Sequence, residues 1–310
     1  MSVLTMEPAE ASPRRRRRRS DRATPARSLP ILPAVLLLLV FLAGPIVWAL
    51  LGSLSNRALT GPGAANPQFV GLDNYARLLA DPVLPLSIGV TVAFVVGSAV
   101  VGQNVLGMLL AVLFRVGNRG LSGLVGVLVV TAWVLPEIVA AFVSYAFLSA
   151  DGTLNSLLSG VGIDGPNWLY SLPLLSIILA NTWRGTAFSM MIYRAALDDV
   201  PPEVTESSML DGASAGQRLR FITLPMIKST IFTNLLLTTL QTLSVFTLIW
   251  VMTKGGPGNL STTLPVFAYT EAFSFGDIGY GNAIAVVMLV LGAVFSIGYV
   301  LSLRRGGDRA

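Results

Sequence analysis

Glu137 and Arg184 are ionisable side chains that interrupt long apolar runs. An ionised group at membrane depth is costly and is therefore a candidate for a functional site. Glu137 lies 11 residues from Leu148 and Arg184 lies 12 from Leu172, so in two antiparallel helices they would share nearly the same depth. We predict that they face each other or a central cavity, as an ion pair or as hydrogen-bonding groups for solute hydroxyls. A buried pair that only fixes helix register is the alternative.

A second set of residues in the apolar runs has the chemistry of sugar recognition. Amides hydrogen-bond to sugar hydroxyls, and indole rings stack on pyranose faces. The same amides also hold transmembrane helices together, so helix packing is the alternative role for each of them. The predicted substrate-pathway residues beyond Glu137 and Arg184 are Asn104, Trp133, Asn181, Trp183 and Gln241.

The composition indicates a polytopic membrane protein. Hydrophobic residues make up 53% of the 310 residues and charged residues only 12%, against about 25% charged residues in an average soluble domain. Apolar runs of roughly 20 residues or more can span a bilayer as helices. We therefore predict an all-α fold with six transmembrane helices. The runs are Ile31 to Leu54, Leu86 to Leu113, Leu121 to Leu148, Leu172 to Tyr193, Ile222 to Met252 and Ile278 to Leu303.

The basic residues predict the orientation of these helices. Short loops rich in Lys and Arg remain in the cytoplasm, and a cytoplasmic N-terminus leaves only Arg57, Arg77 and Lys254 on the outer side. Both termini are then cytoplasmic. The basic residues placed inside are Arg14 to Arg19, Arg22, Arg27, Arg115, Arg119, Arg194, Arg218, Arg220, Lys228, Arg304, Arg305 and Arg309.

Two tails flank the predicted membrane domain, which covers residues 30–305. Residues 1–29 contain the Arg14 to Arg19 block, and their composition cannot bury enough apolar area to fold. We predict a disordered cytoplasmic tail that fixes orientation and contacts anionic lipid headgroups; nucleic-acid binding and a cleaved signal are the alternatives. Residues 306–310 form the C-terminal cytoplasmic tail.

Three connections are predicted on the outer side. Asn56 to Pro85 contains one short surface helix, Asp73 to Ala80, among loop residues. Asp151 to Trp168 carries turn signals at both ends. Thr253 to Asp277 is too polar and glycine-rich to span the membrane.

Several kinds of chemistry are excluded by what the chain lacks. It contains no cysteine and no histidine, which removes thiol nucleophiles, imidazole bases and the usual zinc ligands. Neither lysine follows a glycine, so no P-loop for ATP is present. We predict no catalytic residue, no metal site and no cofactor bound by this chain.

A polar segment between the fourth and fifth apolar runs cannot lie in lipid. Pro201-Pro202 stops the preceding run and favours a helix start. Glu203 and Glu206 then fall in the first turns, where acids stabilise the helix dipole. Gly212 tolerates the left-handed conformation that ends a helix. The sequence therefore predicts a helix of about two to three turns, within a coupling loop of about residues 197–225.

The residues from Glu206 to Pro225, ESSMLDGASAGQRLRFITLP, closely resemble the "EAA" loop of ABC importer permeases. The match rests on Glu206, Asp211-Gly212-Ala213 and, nine residues further on, Ile222 and Leu224-Pro225. From about Pro30 to Arg305 the chain resembles the sugar-importer permeases of the maltose and glycerol-phosphate type. The segments that support this wider resemblance are Phe69 to Tyr75, Trp183-Arg184, Ala196-Leu197, Pro201 to Glu203, Thr253 to Gly258 and Gly279 to Ala283.

The resemblance implies a type I ABC importer permease fold and a transport subunit of the cell membrane, not an enzyme. It implies half of a pathway for a carbohydrate or polyol, a second permease subunit in a heterodimer, an ATPase dimer that holds ATP and Mg²⁺, and an extracytoplasmic solute-binding protein. The residues implied to couple to the ATPase are Glu203, Glu206, Ser207, Ser208, Asp211, Gly212, Ala213, Leu224 and Pro225.

This chain departs from the family pattern at three places. Ser207-Ser208 replace an alanine pair, and we expect this substitution to be tolerated because serine is also small. Thr247 stands where many relatives carry an acid, and Glu137 stands where relatives are usually apolar. The last two residues lie near the expected solute path and leave the substrate open.

Three alternatives remain. One is an ABC permease for a non-sugar solute. Another is an integral-membrane transferase that uses Glu137 or Asp198-Asp199, although adjacent acids on a helix point in different directions and make a poor acid/base pair. The third is an ion-driven transporter, which would be expected to show inverted repeats and would leave the coupling loop without a role.

Overall fold

The computed structural model describes residues 32–307. The two predicted tails, including Arg14 to Arg19, lie wholly or largely outside that range. Leu32 to Val47 belong to one compact unit and the chain from Trp48 onward to another. Six helical segments correspond to the six predicted runs. They are segment 1, Leu32–Ser53; segment 2, Val83–Phe94 continued by Val95–Gln103 and Asn104–Val116; segment 3, Arg119–Val134 and Glu137–Leu148; segment 4, Pro173–Asp198; segment 5, Lys228–Leu243 and Thr247–Met252; and segment 6, Ile278–Gly307.

Shorter helices occupy the connections. The predicted surface helix is confirmed with its bounds, Asp73–Ala80. Apart from one isolated β-bridge between Ser55 and Phe69, the described residues are helical or irregular. The all-α prediction is confirmed. The other short helices are Pro62–Ala65, Thr153–Gly160, Trp168–Ser171, Pro202–Leu210, Ala215–Arg218, Leu219–Thr223, Leu224–Met226, Leu264–Tyr269 and Thr270–Ser274.

Not every predicted run meets a test of length and composition for crossing a membrane. Four helical stretches of the described chain do: Leu32–Ser53, Val83–Arg115, Glu137–Gly160 and Ile278–Leu303; one bent pair makes a fifth. Segment 4 has the length, with 26 residues, but its buried polar side chains lower its hydropathy.

Segments 3 and 5 are broken where the sequence predicted continuous helices. Segment 3 breaks at Leu135-Pro136, because proline has no N–H to donate and forces the residue before it into an extended conformation. In segment 5 the helical pair Ala215–Met226 and Lys228–Leu243 bends by 71°, two residues after Pro225. A second break, Ser244 to Phe246, separates Lys228–Leu243 from Thr247–Met252.

Segments 2 and 4 form the closest helix pair. Gly97, Gly102 and Gly107 face segment 4, and a Cβ atom on any of them would lie within 3.0 Å of a segment 4 side chain. Small residues permit this approach of two backbones in a membrane, where lipid offers no hydrophobic driving force between helices. The buried polar residues are arranged along this pair of segments.

Three buried clusters hold the segments together. An outer cluster centres on Ile177, Leu248, Ile249 and Val266, and a second joins the surface helix to segment 6 through Leu78 and Ile284. The third, which we call the base cluster, lies next to the coupling loop. Its buried members are Ala111, Tyr193, Ala196, Leu197, Val200 and Ile227.

Candidate functional site

The coupling helix, Pro202–Leu210, has the local structure that the sequence predicts. Pro201 precedes it in an extended conformation, with a ψ of 130°, and Pro202 opens its first turn together with Glu203. Nine residues make about two and a half turns. Gly212 has a φ of +78°, the left-handed conformation that ends the helix. Ser214 and Gln217 then form a capping box at the start of Ala215–Arg218.

The faces of the coupling helix differ in exposure. Ser208 is only 4% exposed and its hydroxyl donates to the Thr205 carbonyl at 2.6 Å. Leu210 is 90% exposed and Met209 51%. The remaining predicted coupling residues divide in the same way. Glu203, Glu206, Ser207, Asp211, Gly212 and Pro225 are exposed, and Ala213 and Leu224 are half-buried.

This division changes the expected role of two residues. Ser208 faces its own chain, and Leu224 packs against the base cluster, so neither presents its side chain to a partner. The sequence analysis missed Met209, Leu210 and Phe221, which is 68% exposed. Large apolar residues within an otherwise polar loop are the sequence signal that would have identified them.

The base cluster fixes the coupling loop to the bundle. Tyr193 and Leu197 come from the helix that leads into the loop, Val200 follows the end of that helix, and Ile227 immediately precedes the helix that leaves the loop. Ala111 adds the end of segment 2. All five are at most 5% exposed. Close-packed interiors transmit displacement because they have few voids to absorb it, so the base cluster joins the two flanks of the coupling loop to segment 2.

A buried amide network lies beside the base cluster. The Asn104 amide nitrogen donates to the Ala99 carbonyl at 2.7 Å and to the Thr238 hydroxyl at 3.2 Å. The Asn104 carbonyl oxygen accepts from the Tyr193 hydroxyl and from the Asn234 amide at 2.8 Å. Asn234 also donates to Ser189 at 2.9 Å and is fully buried. The network joins segments 2, 4 and 5, and with Asn104 only 7% exposed its geometry favours the packing role.

Asn181 belongs to a second buried set in the same three segments. Its side-chain amide donates to the Ser98 hydroxyl at 2.9 Å and to the Thr242 hydroxyl at 3.3 Å, and its backbone carbonyl accepts from the Gln103 side-chain amide at 3.2 Å. Asn181 is 2% exposed. In this conformation it also holds helices together.

Glu137 bridges the two helix breaks. It begins the second half of segment 3, and its carboxylate accepts the backbone N–H of Leu248 at 3.0 Å. Leu248 lies in the first turn of Thr247–Met252, where N–H groups lack partners within the helix. A carboxylate is also favoured at a helix N-terminus by the dipole. Glu137 thus acts as a cap supplied by a neighbouring helix.

Arg184 does not pair with Glu137. Within residues 32–307 the ion pair formed at 4.0 Å or less joins Arg77 and Asp277, at 3.0 Å. The Arg184 Nε atom is buried without a hydrogen-bond partner in the described chain. The ion-pair form of the hypothesis is therefore not seen among the described residues.

The remaining predicted pathway residues are accessible. Trp133 is 39% exposed, Trp183 is 43% exposed and Gln241 is exposed. The ring centroids of Trp133 and Phe188 lie 6.1 Å apart. Near the segment 5 break the sequence analysis missed an aromatic group of Phe246, Trp250 and Tyr269, whose ring centroids lie 4.7–5.7 Å apart. Phe246 precedes Thr247–Met252, Trp250 lies within that helix and Tyr269 ends Leu264–Tyr269, so no local spacing marks the group as a whole.

The structure resembles solved ABC importers along most of its length. A bacterial alginate ABC transporter chain, from a complex with an alginate pentasaccharide-bound periplasmic protein, superposes with a TM-score of 0.77 at 22% identity, covering 90% of this chain and 94% of that one. A chain of the MetNI methionine ABC transporter superposes with a TM-score of 0.54 at 18% identity, covering 76% and 98%. The fold is that of a type I ABC importer permease.

Related sequences identify the family of the chain. Residues 103–305 match the family described as binding-protein-dependent transport system inner membrane component. A trehalose/maltose transport system permease protein of Thermococcus litoralis is 32% identical over 280 residues, 88% of this chain and 91% of the relative. A lactose transport system permease protein of Rhizobium radiobacter is 30% identical over 277 residues, 86% and 90%. This chain belongs to the family of binding-protein-dependent transport system inner membrane components, and it is a transport subunit.

Proposed function

We propose that this chain forms half of the pathway of an ATP-driven importer for a carbohydrate or polyol. The names of its relatives support the solute class, since they include trehalose/maltose and lactose permeases. The observation that carries the coupling role is the contrast at the coupling helix: Leu210 is 90% exposed while the base cluster beneath is buried. An exposed apolar side chain on a helix whose flanking residues are anchored in a buried cluster is suited to docking a protein partner.

The docking partner is a separate ATPase, which holds the ATP and Mg²⁺. Leu210 and Met209 supply the apolar contact, and the exposed carboxylates of Glu203, Glu206 and Asp211 accept hydrogen bonds from basic groups. Movement of the ATPase displaces the coupling helix, and the base cluster passes the displacement to segments 2, 4 and 5. The solute then passes near the helix breaks, where Trp133, Trp183 and Gln241 are accessible.

The complete importer contains further partners. A second, different permease subunit supplies the other half of the pathway, and an extracytoplasmic solute-binding protein delivers the solute. Both termini and the coupling helix face the cytoplasm, as the distribution of Lys and Arg predicts.

Co-purification with the ATPase tests the coupling role. In the complete importer we expect Leu210→Asp and Glu206→Lys to lower recovery of the ATPase and solute-stimulated ATP hydrolysis at least tenfold, because an unpaired charge is placed in the interface. Leu157→Asp is the control, since Leu157 is 63% exposed in the second outer connection. Wild-type hydrolysis and recovery in both coupling variants would contradict the assignment.

A further inference from the structure

A cleft of about 570 Å³ opens between the second and third outer connections. Its walls carry Tyr145, Asp151, Asn167 and Tyr170, and its far side is formed by Thr253 with Gly256 and Pro257. Met252, which is only 3% exposed, forms part of its floor. Ligand sites commonly have volumes of roughly 300–1,000 Å³ and combine an apolar base with a few convergent polar groups.

The polar groups of the cleft are available to a ligand. Among the described residues, neither the Asp151 carboxylate nor the hydroxyls of Tyr145 and Tyr170 form a hydrogen bond, and Asn167 uses only its carbonyl oxygen, at 3.3 Å from the Tyr170 nitrogen. Tyr145 is 45% exposed and Tyr170 65%. The cleft therefore offers two phenol rings, a carboxylate and an amide to one occupant.

Both walls are held by hydrogen bonds behind the cleft. Asn155 accepts from the Trp168 indole at 2.8 Å and donates to the carbonyls of Ala150 at 2.8 Å and Pro166 at 3.1 Å. On the opposite wall, fully buried Ser261 donates to Thr253 at 2.8 Å and to the Gly256 carbonyl at 2.9 Å. A site whose walls are already fixed loses less entropy when it binds a ligand.

The position of the cleft connects it to the proposed pathway. Met252 ends the helix Thr247–Met252, whose first turn donates the Leu248 N–H to the Glu137 carboxylate. Six residues of helix span about 9 Å, so the Glu137 bond and the cleft lie within that distance of each other along this helix. An adjoining pocket of about 290 Å³ shares Tyr145, Met252 and Thr253, which gives room for a second sugar ring.

We infer that this cleft is an entry subsite for a neutral carbohydrate, occupied before the solute reaches the helix breaks; this inference rests on the proposed function. Aromatic faces stack on the apolar faces of pyranose rings, and carboxylate and amide groups bind paired hydroxyls. Asp151 on the wall disfavours an anionic solute. No residue of this subsite belongs to the coupling machinery.

Direct titration of the purified complete importer, without its binding protein, tests the subsite. The probes are trehalose, maltose and lactose, and the one that wild-type proteoliposomes import is used. We expect millimolar binding that Tyr170→Ala and Asp151→Asn each weaken roughly five- to tenfold, as loss of a stack or a charged hydrogen bond predicts. Asp164→Asn is the control, because Asp164 is exposed in the same connection but does not line this cleft.

The outcomes separate the subsite from the proposed function. Unchanged sugar affinity in Tyr170→Ala and Asp151→Asn, with wild-type import intact, would overturn the subsite alone. Variants that lose binding-protein docking while keeping their sugar affinity would also overturn it, by assigning the cleft to the protein partner. Failure of the wild-type importer to take up these sugars or any other carbohydrate or polyol would count against the proposed function itself, and the subsite would fall with it.

Discussion

The coupling end and the outer half of this permease are built from the same segments but are held together differently. At the coupling end, the base cluster and the Asn104–Asn234 network join segments 2, 4 and 5, with both amides at most 7% exposed. In the outer half, segments 3 and 5 are broken and Glu137 bridges the breaks. Buried polar networks rigidify a structure, whereas the outer half is held by an apolar cluster and by the hydrogen bond from Leu248 to Glu137 across the breaks. The contrast suits an importer that is driven at one end and receives its solute at the other.

The largest effect on transport is expected from a change at the end of the coupling helix. Gly212 has a φ of +78°, and its N–H donates to the Met209 carbonyl at 3.0 Å. Gly212→Pro requires a φ near −65° and removes that donor, so the end of the coupling helix must rearrange. We expect ATP-driven uptake to fall by more than tenfold. Gly216→Ala is the control, because Gly216 is helical and has open space around it.

Removal of one amide tests whether the network makes the coupling end rigid. Asn234→Ala leaves the Asn104 carbonyl and the Ser189 hydroxyl short of a donor and creates a cavity, so we expect a loss of about 3 kcal/mol in unfolding free energy. Thermal unfolding in detergent measures it. The neighbouring Thr233→Ala, at an exposed position, should change stability little. Equal melting temperatures for both variants would contradict a stabilising role for the network.

The Glu137 bridge is the corresponding test in the outer half. Glu137→Ala removes the acceptor for the Leu248 N–H, and we expect a loss of about 1–2 kcal/mol. Glu137→Gln retains a carbonyl oxygen in the same place and should recover most of the stability and of the uptake rate. Arg184→Gln should leave the Glu137 bond intact. If Glu137→Gln behaves like Glu137→Ala, the negative charge, and not the cap, is what the protein requires.

The smallest effect is expected at the outer edge, at Glu271. Burial raises the pKa of this carboxyl above its ordinary value, the Asp81 and Asp277 carboxylates raise it further, and Arg77 opposes them. An acid with a higher pKa in the folded state binds more protons when folded, so stability falls as pH rises from the ordinary glutamate value through the raised one. Glu271→Gln should therefore melt higher than wild type at pH 8 and equally at pH 4. Asp164→Asn, in the second outer connection, serves as the control.

The sequence was most informative where local chemistry determines structure. Pro201-Pro202 and Gly212 define the coupling helix because each acts through its own backbone, and Asp73–Ala80 was predicted with its bounds. The breaks in segments 3 and 5 were harder to predict. Pro136 and Pro225 were visible but lay within strongly apolar runs, and Ser244 to Phe246 contains no proline.

Long-range contacts could not be read from the chain. Equal depth suggested that Glu137 and Arg184 would meet, but depth does not specify which way a helix faces. The partner of Glu137 is a backbone N–H that exists only because segment 5 breaks. The aromatic group of Phe246, Trp250 and Tyr269 likewise needs two helices to be brought together.

The most direct test of the account uses the absence of native cysteine. A Leu210→Cys variant of the complete importer carries a single thiol in this chain, on the exposed face of the coupling helix. We predict that it cross-links to the ATPase subunit, that the yield changes with ATP, and that Leu157→Cys, on an outer connection, gives no such product. Labelling of Leu210→Cys by a membrane-impermeant thiol reagent added to intact cells, without any cross-link to the ATPase, would contradict the coupling role.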